Sequence, residues 1–371
     1  MRKVPAAHLR VRGATPELTV IKHKLRDWVE SRLTPLAWDG GPEALARQLN
    51  EELKQAGLVC ANDHPPQPGE TVCPDWSQLG FLSQIKLYRP ARSEFLVLQT
   101  GVGIECGFDE SPYAYGWIGD QWRRFWQSEQ DDYAEKKYLP QTLQAVLISP
   151  TDFRPEGDKS THLVLTLGRE PWCSSNWHDV YIRLWRTKAG VTEPKPLLDE
   201  REWAWVVEPI LGAVDREDVL IEYTVRSIDV GVHHRQQVRH YVVKQDKVER
   251  TDPIALGPRD FADEWLGIRW DKSSGWTERA ARTKADKWNE ELRGPFEYID
   301  PTMHCSDKPD LWQVDVGDPD NEVATRYFLI RWRPPFRFTM VDVSDHPWAG
   351  CTEEDPSADE DRTLFAGQEW R

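Results

Sequence analysis

The chain has 371 residues, a formal net charge of −15 and 39% hydrophobic residues, and it carries 19 Trp. It is long enough for a large core and more than one structural unit. The acidic balance argues against nucleic acid as a partner, because phosphate recognition needs local positive potential. No apolar run approaches the roughly 18 residues of a transmembrane helix.

Residues 1–60 are expected to form a basic arm followed by a helical hairpin. Thr15-Pro16-Glu17 places a capping hydroxyl before a proline at the first helical position. Leu18, Ile21, Leu25, Trp28, Val29 and Leu33 then recur at helical spacing. Gly41-Pro42-Glu43 opens a second helix with Leu45, Leu49 and Leu53 four residues apart, and Gly57 stops it. Too small to bury its own apolar stripes, the pair should dock on whatever follows. Residues 61–80 have the proline and polar content of a linker.

Residues 81–351 read as a β-repeat domain. Apolar strands start at Phe95, Leu163, Val219 and Leu311, and partner strands start at Tyr113, Val180, Val238 and Arg326, giving steps of 18, 17, 19 and 15 residues. The partners are rich in Val, Ile, Tyr, Phe and Trp, which suit a pleated, half-buried surface. Each pair continues through a turn into a further strand, and a preceding strand is legible for the first three. This pattern predicts a mainly β fold with a small α-helical N-terminal unit. The β part is expected as tandem four-stranded sheet repeats in a β-propeller-like array, with a large β-sandwich as the alternative; no WD or kelch signature is present. Between the third and fourth units, a helical insertion is predicted over about 258–293. Residues 352–371 form an acidic stretch, expected to be a solvated tail.

The six cysteines are Cys60, Cys73, Cys106, Cys173, Cys305 and Cys351, with no C-x-x-C pair. Cys106 and Cys173 fall at matching places in neighbouring units and are expected to pair, leaving Cys60 with Cys73 and Cys305 with Cys351 by elimination. The amino terminus is basic and has no apolar h-region. The compartment follows from the thiols: extracytoplasmic if they are paired and a signal peptide was removed, cytoplasmic otherwise.

If the units are blades, the loops joining the aligned strands share one face, and a site should lie there. Trp172, Asn176, Trp177, His178 and Asp179 in the second loop combine flat apolar rings with hydrogen-bonding groups, as glycan stacking or peptide docking would use. Asp229, His233 and Arg235 of the third loop and Asp109 of the first are expected on the same face. The strand tryptophans Trp117, Trp185, Trp203, Trp205, Trp312 and Trp332 are expected to pack within sheets. A phosphate-binding loop, a nucleophile elbow and an H-E-x-x-H pair are all absent, and GVGIECG is an incomplete dinucleotide fingerprint. No metal site or cofactor is legible. The expected function is a binding or scaffolding protein using the inter-strand loop face. The alternatives are a hydrolase acting on carbohydrate or peptide through loop carboxylates, and a structural extracytoplasmic protein.

Overall fold

The computed structural model describes residues 17–33, 41–59, 81–90, 93–104, 106–118, 120–129, 140–149, 161–172, 175–188, 196–229, 234–245, 247–251, 255–292, 298–317, 325–333 and 337–354. The basic arm, the linker and the candidate His233 lie outside them, as do residues 355–371. The fold is mainly β, with three antiparallel sheets and a few helices, and no closed barrel or propeller is detected among the described residues. The chain divides into two compact units, one comprising mainly residues 1–202 and the other mainly 203–213 and 217–370.

In the first unit, helices α1 (Glu17–Glu30) and α2 (Gly41–Gln55) precede two groups of strands. Strands β1 (Lys86–Tyr88), β2 (Leu96–Ile104), β3 (Gly107–Ile118) and β4 (Gln121–Gln127) form a four-stranded meander. Strands β5 (Thr142–Ile148), β6 (Thr161–Arg169), β7 (Trp177–Lys188) and β8 (Pro196–Trp205) follow in the same consecutive order. Alternation along β2 and β3 gives the first sheet two buried faces. One presents Leu96, Leu98, Val102, Tyr113 and Tyr115 to the helices; the other presents Val97 and Ala114, which pack with Trp126, Val146, Val164 and Trp185.

The helices dock by charge as well as by apolar contact. Leu18, Leu25 and Val29 of α1 are buried as their spacing predicts, but Ile21 is 38% exposed and Lys22 is 1% exposed. Lys22, Arg26 and Glu30 stand one turn apart and therefore share a face. Lys22 pairs with Asp109 at 2.6 Å and Arg26 with Glu129 at 2.6 Å, while Glu30 accepts from Tyr115 at 3.0 Å and Arg124 at 2.5 Å. On α2, the Asn50 amide bonds both the carbonyl and the N–H of Ile85, at 2.9 and 2.7 Å. Gly57, at φ +69°, ends α2 with Gly57 N–H to Lys54 O and Leu58 N–H to Leu53 O, the paired bonds of a Schellman cap.

β8 passes from one unit to the other along the chain; it neighbours β7, and its last residues, Ala204 and Trp205, pair with β10 (Asp218–Arg226). β9 (Leu211–Asp215), β10, β11 (His234–Lys244) and β12 (Lys247–Arg250) run in consecutive order, the last three within the second unit. So do β13 (Tyr298–Cys305), β14 (Leu311–Gly317), β15 (Arg326–Arg333) and β16 (Arg337–Ser344), with β17 (Cys351–Glu354) added beside β13. Cys305 and Cys351 are cross-strand partners there and form a disulfide. Helices α3 (Pro258–Gly267), α4 (Trp270–Ser273) and α5 (Arg282–Glu291) fill the interval before β13. α3 supplies Phe261, Trp265 and Leu266 to a core with Val314, Val316, Phe328, Ile330 and Met340.

All eight aligned apolar and partner segments fall on strands, and in the first three hairpins the strands run further into the connecting loop than those segments do. β2 and β3 stay paired to Ile104 and Gly107, so Asp109 and Glu110 lie in a ladder and not in a loop. Buried Val102 and Ile104 carry the pairing that far. The strand tryptophans divide: Trp185 and Trp312 are each 6% exposed, whereas Trp117 and Trp203 are about half exposed, at 49% and 50%.

Candidate functional site

The loop joining β6 to β7 is the most thoroughly organised of the candidate segments. Its base is closed by the Glu170 N–H bonding the Asp179 carbonyl at 2.8 Å. Within it, the Trp177 N–H donates to the Ser175 hydroxyl at 2.9 Å, a local turn that serine favours. His178 is buried, and its ring spans the loop: Nδ1 lies 2.6 Å from the Glu170 carbonyl oxygen and Nε2 2.8 Å from that of Ser175. Both ring nitrogens therefore serve the loop's own backbone, which leaves His178 as a strut and not as a ligand. Asn176, just before β7, is exposed, and Trp172 and Trp177 are half-buried.

Beneath the loop is a cluster of charge. Arg201 of β8 reaches from Nη2 to Glu170 at 3.0 Å and also bonds the Asp179 carboxylate. Its guanidinium lies 5.7 Å from the centroid of the Tyr181 ring, and Arg183 lies 5.0 Å from the same centroid. Arg183 is held in turn by Asp199 at 3.0 Å and Gln141 at 3.3 Å. Asp179, Tyr181 and Arg183 alternate along β7, and the alternation puts all three on one face. Burial raises the Glu170 carboxyl above its usual range; Arg201 works against that shift and the neighbouring Asp179 adds to it. The Tyr181 phenol is raised too, by burial first and then by Glu170.

The Glu170 and Asp179 carboxylates share one guanidinium nitrogen, so they sit beside each other at the base of the loop. Chemically, the arrangement is a clamp that fixes the base of the loop against β8. Glu170, Tyr181, Arg183 and Arg201 escaped the sequence reading, although the period-two alternation through Asp179, Tyr181 and Arg183 was available in β7.

The first loop comes close to the same place. Cys106, at φ +69°, is disulfide-bonded, and a Cβ on the adjacent Gly107 would meet the Pro171 Cβ at 3.1 Å. The turn between β2 and β3 therefore abuts the start of the β6–β7 loop. Cys60, Cys73 and Cys173 lie outside the described residues, so the expected Cys106–Cys173 and Cys60–Cys73 pairings remain expectations.

The other candidates are engaged elsewhere. Asp109 of β3 is buried in its ion pair with Lys22. In the second unit, Asp229 accepts from Arg259 at 2.5 Å and from the Ile299 N–H at 3.1 Å. Arg235 bonds Asp263 of α3 at 2.6 Å, and Asp263 also accepts from the Ser227 hydroxyl and the Ile228 N–H. Asp229 and Arg235 thus tie α3 and β13 to the β10–β11 hairpin. Such buried charges persist because each is paired and hydrogen-bonded. Among the described residues, no group of three His, Cys, Asp or Glu side chains could hold a metal ion, and no helix is long and apolar enough to cross a membrane. Compared with known proteins, the sequence matches no family model and no curated protein.

Proposed function

We propose that the chain is a binding or scaffolding protein whose recognition surface is the β6–β7 loop, with Trp172, Asn176 and Trp177 contacting a glycan or a peptide. On this reading, the consecutive meanders β1–β4, β5–β8, β9–β12 and β13–β16 are tandem repeats of propeller-like kind, and the loop is carried by the second of them. A single observation carries the proposal: the loop is braced from within by His178 and from below by the Arg201 clamp, while its two tryptophans and Asn176 retain accessible surface. A loop already held in one shape loses little conformational entropy on binding, so its contacts convert more fully into affinity. Half-exposed aromatic rings beside an amide offer both stacking area and directional hydrogen bonds. The Cys305–Cys351 disulfide favours an oxidising compartment for whichever function holds.

Glycan and peptide arrays probed with the full chain, and with a Trp172→Ala/Trp177→Ala variant, test the reading. Array signals present for the parent and lost for the variant are expected. Signals of equal strength for both proteins would rule the loop out as the recognition surface.

A further inference from the structure

The second unit contains a cleft of about 340 Å³ whose lining includes His240, Lys244, Glu249, Arg250 and Arg337. That volume is within the range of small-molecule sites, about 300–1,000 Å³. In a chain of net charge −15, a lining with three permanent cations and one carboxylate is unusual. Some of that charge is already answered: Arg250 bonds Glu264, and Lys244 donates to Glu249 at 2.8 Å. The Lys244–Glu249 pair is weakly held, however, since the two side chains are 63% and 54% exposed, and exposed pairs contribute little.

The strand registers supply a second, independent observation. Lys244 stands directly opposite Lys247 across the β11–β12 hairpin, and Arg337 directly opposite Arg333 across β15–β16. Like charges at opposed positions destabilise a ladder, and here two such pairs each contribute a member to one cleft. Arg333 and Arg337 are exposed, and neither makes an ion pair among the described residues. An anion carrying more than one negative charge would relieve both pairs together.

We propose that this cleft binds a small molecule through a phosphate monoester, with Arg337 and Lys244 as its principal contacts. A phosphate monoester carries about −1.5 to −2 charge at neutral pH, which matches opposed cation pairs better than a single carboxylate does. The planar guanidinium of Arg337 suits a two-pronged contact to phosphate oxygens, and Lys244 adds a point charge. On binding, the phosphate replaces Glu249 at Lys244. The site is independent of the β6–β7 loop and stands or falls separately from it.

Isothermal titration of the full chain with glucose 6-phosphate, with glucose as the uncharged control, tests the proposal. Saturable binding of glucose 6-phosphate but not of glucose is expected. Arg337→Ala and Lys244→Ala should each weaken it by about tenfold or more, in line with the loss of one charge-assisted contact. Arg123→Ala, at an exposed position on β4, should bind as the parent does. All three positions are exposed, and circular dichroism of each variant checks that it is folded. No saturable binding of glucose 6-phosphate would overturn the proposal, as would equal binding of glucose or unchanged affinity in both cleft variants. Binding confined to a polyanion such as heparin would overturn it too, by pointing to a macromolecular partner.

Discussion

Glu110 illustrates what burial does to a single side chain. It is 6% exposed on β3, accepting a hydrogen bond from the Leu143 N–H at 2.5 Å. Burial raises its carboxyl above the usual value of 4.5, against the pull of Lys86 and the Leu143 N–H. The folded protein therefore holds this proton more tightly than the unfolded chain does. Stability is greatest with the carboxyl protonated and falls as pH rises from about 4.5 through the raised folded value. Glu170 has the same sign. Chemical denaturation of Glu110→Gln from pH 4 to 8 should give a shallower decline than the parent, since the amide keeps an acceptor for Leu143 and has no proton to lose. A decline as steep as the parent's would mean that Glu110 does not titrate in this range. None of this was legible in the sequence; the burial of Glu110 follows from its pairing with Gly101 of β2 on one side and its N–H bond to the Gln141 carbonyl on the other.

At the scale of elements, strands were easier to read than helix docking. Period-two alternation and β-branched runs located both strands of all four hairpins, because those signals are local. The face that α1 turns to the sheet was only half legible. Leu18, Leu25 and Val29 follow the apolar stripe, but Lys22 takes a buried place that the pattern assigned to Ile21. A lysine at helical spacing reads as a solvent-facing residue until its partner is known, and Asp109 is 87 positions away in the chain. The two side chains are 1% and 2% exposed, so removing one takes a charged partner at 2.6 Å from the other in a buried setting. Asp109→Ala should lower the unfolding free energy by about 3–5 kcal/mol in urea titration, whereas the isosteric apolar pair Lys22→Met/Asp109→Leu should cost much less. A loss below about 1 kcal/mol for Asp109→Ala would show that the pair is solvated and that α1 is held by its leucines alone. The candidate residues Asp229 and Arg235 have the same lesson in them. Their partners Arg259 and Asp263 both lie on α3, a helix visible in the sequence whose docking position was not.

For the whole molecule, consecutive strand order within each meander was foreseeable from the recurring hairpins, while the gathering of those strands into three sheets was not. That outcome depends on β8, whose neighbours are β7 on one side and β10 at its end, and no periodicity in the chain signals such sharing. The site has a similar history: Trp172, Asn176, Trp177, His178 and Asp179 stood out by residue type, but the clamp that gives their loop its shape comes from Arg201, on a different strand. If this loop is braced for recognition, Trp177 serves contact more than packing. The most direct test is to measure affinity for the strongest array ligand and the thermal midpoint together, in the parent and in Trp177→Ala. An affinity loss of about thirtyfold is expected, the scale of a 2 kcal/mol aromatic anchor, with the midpoint shifted by no more than about 2 °C. Unchanged affinity accompanied by a fall in the midpoint of about 6 °C or more would contradict it, and would make Trp177 part of the loop's own packing.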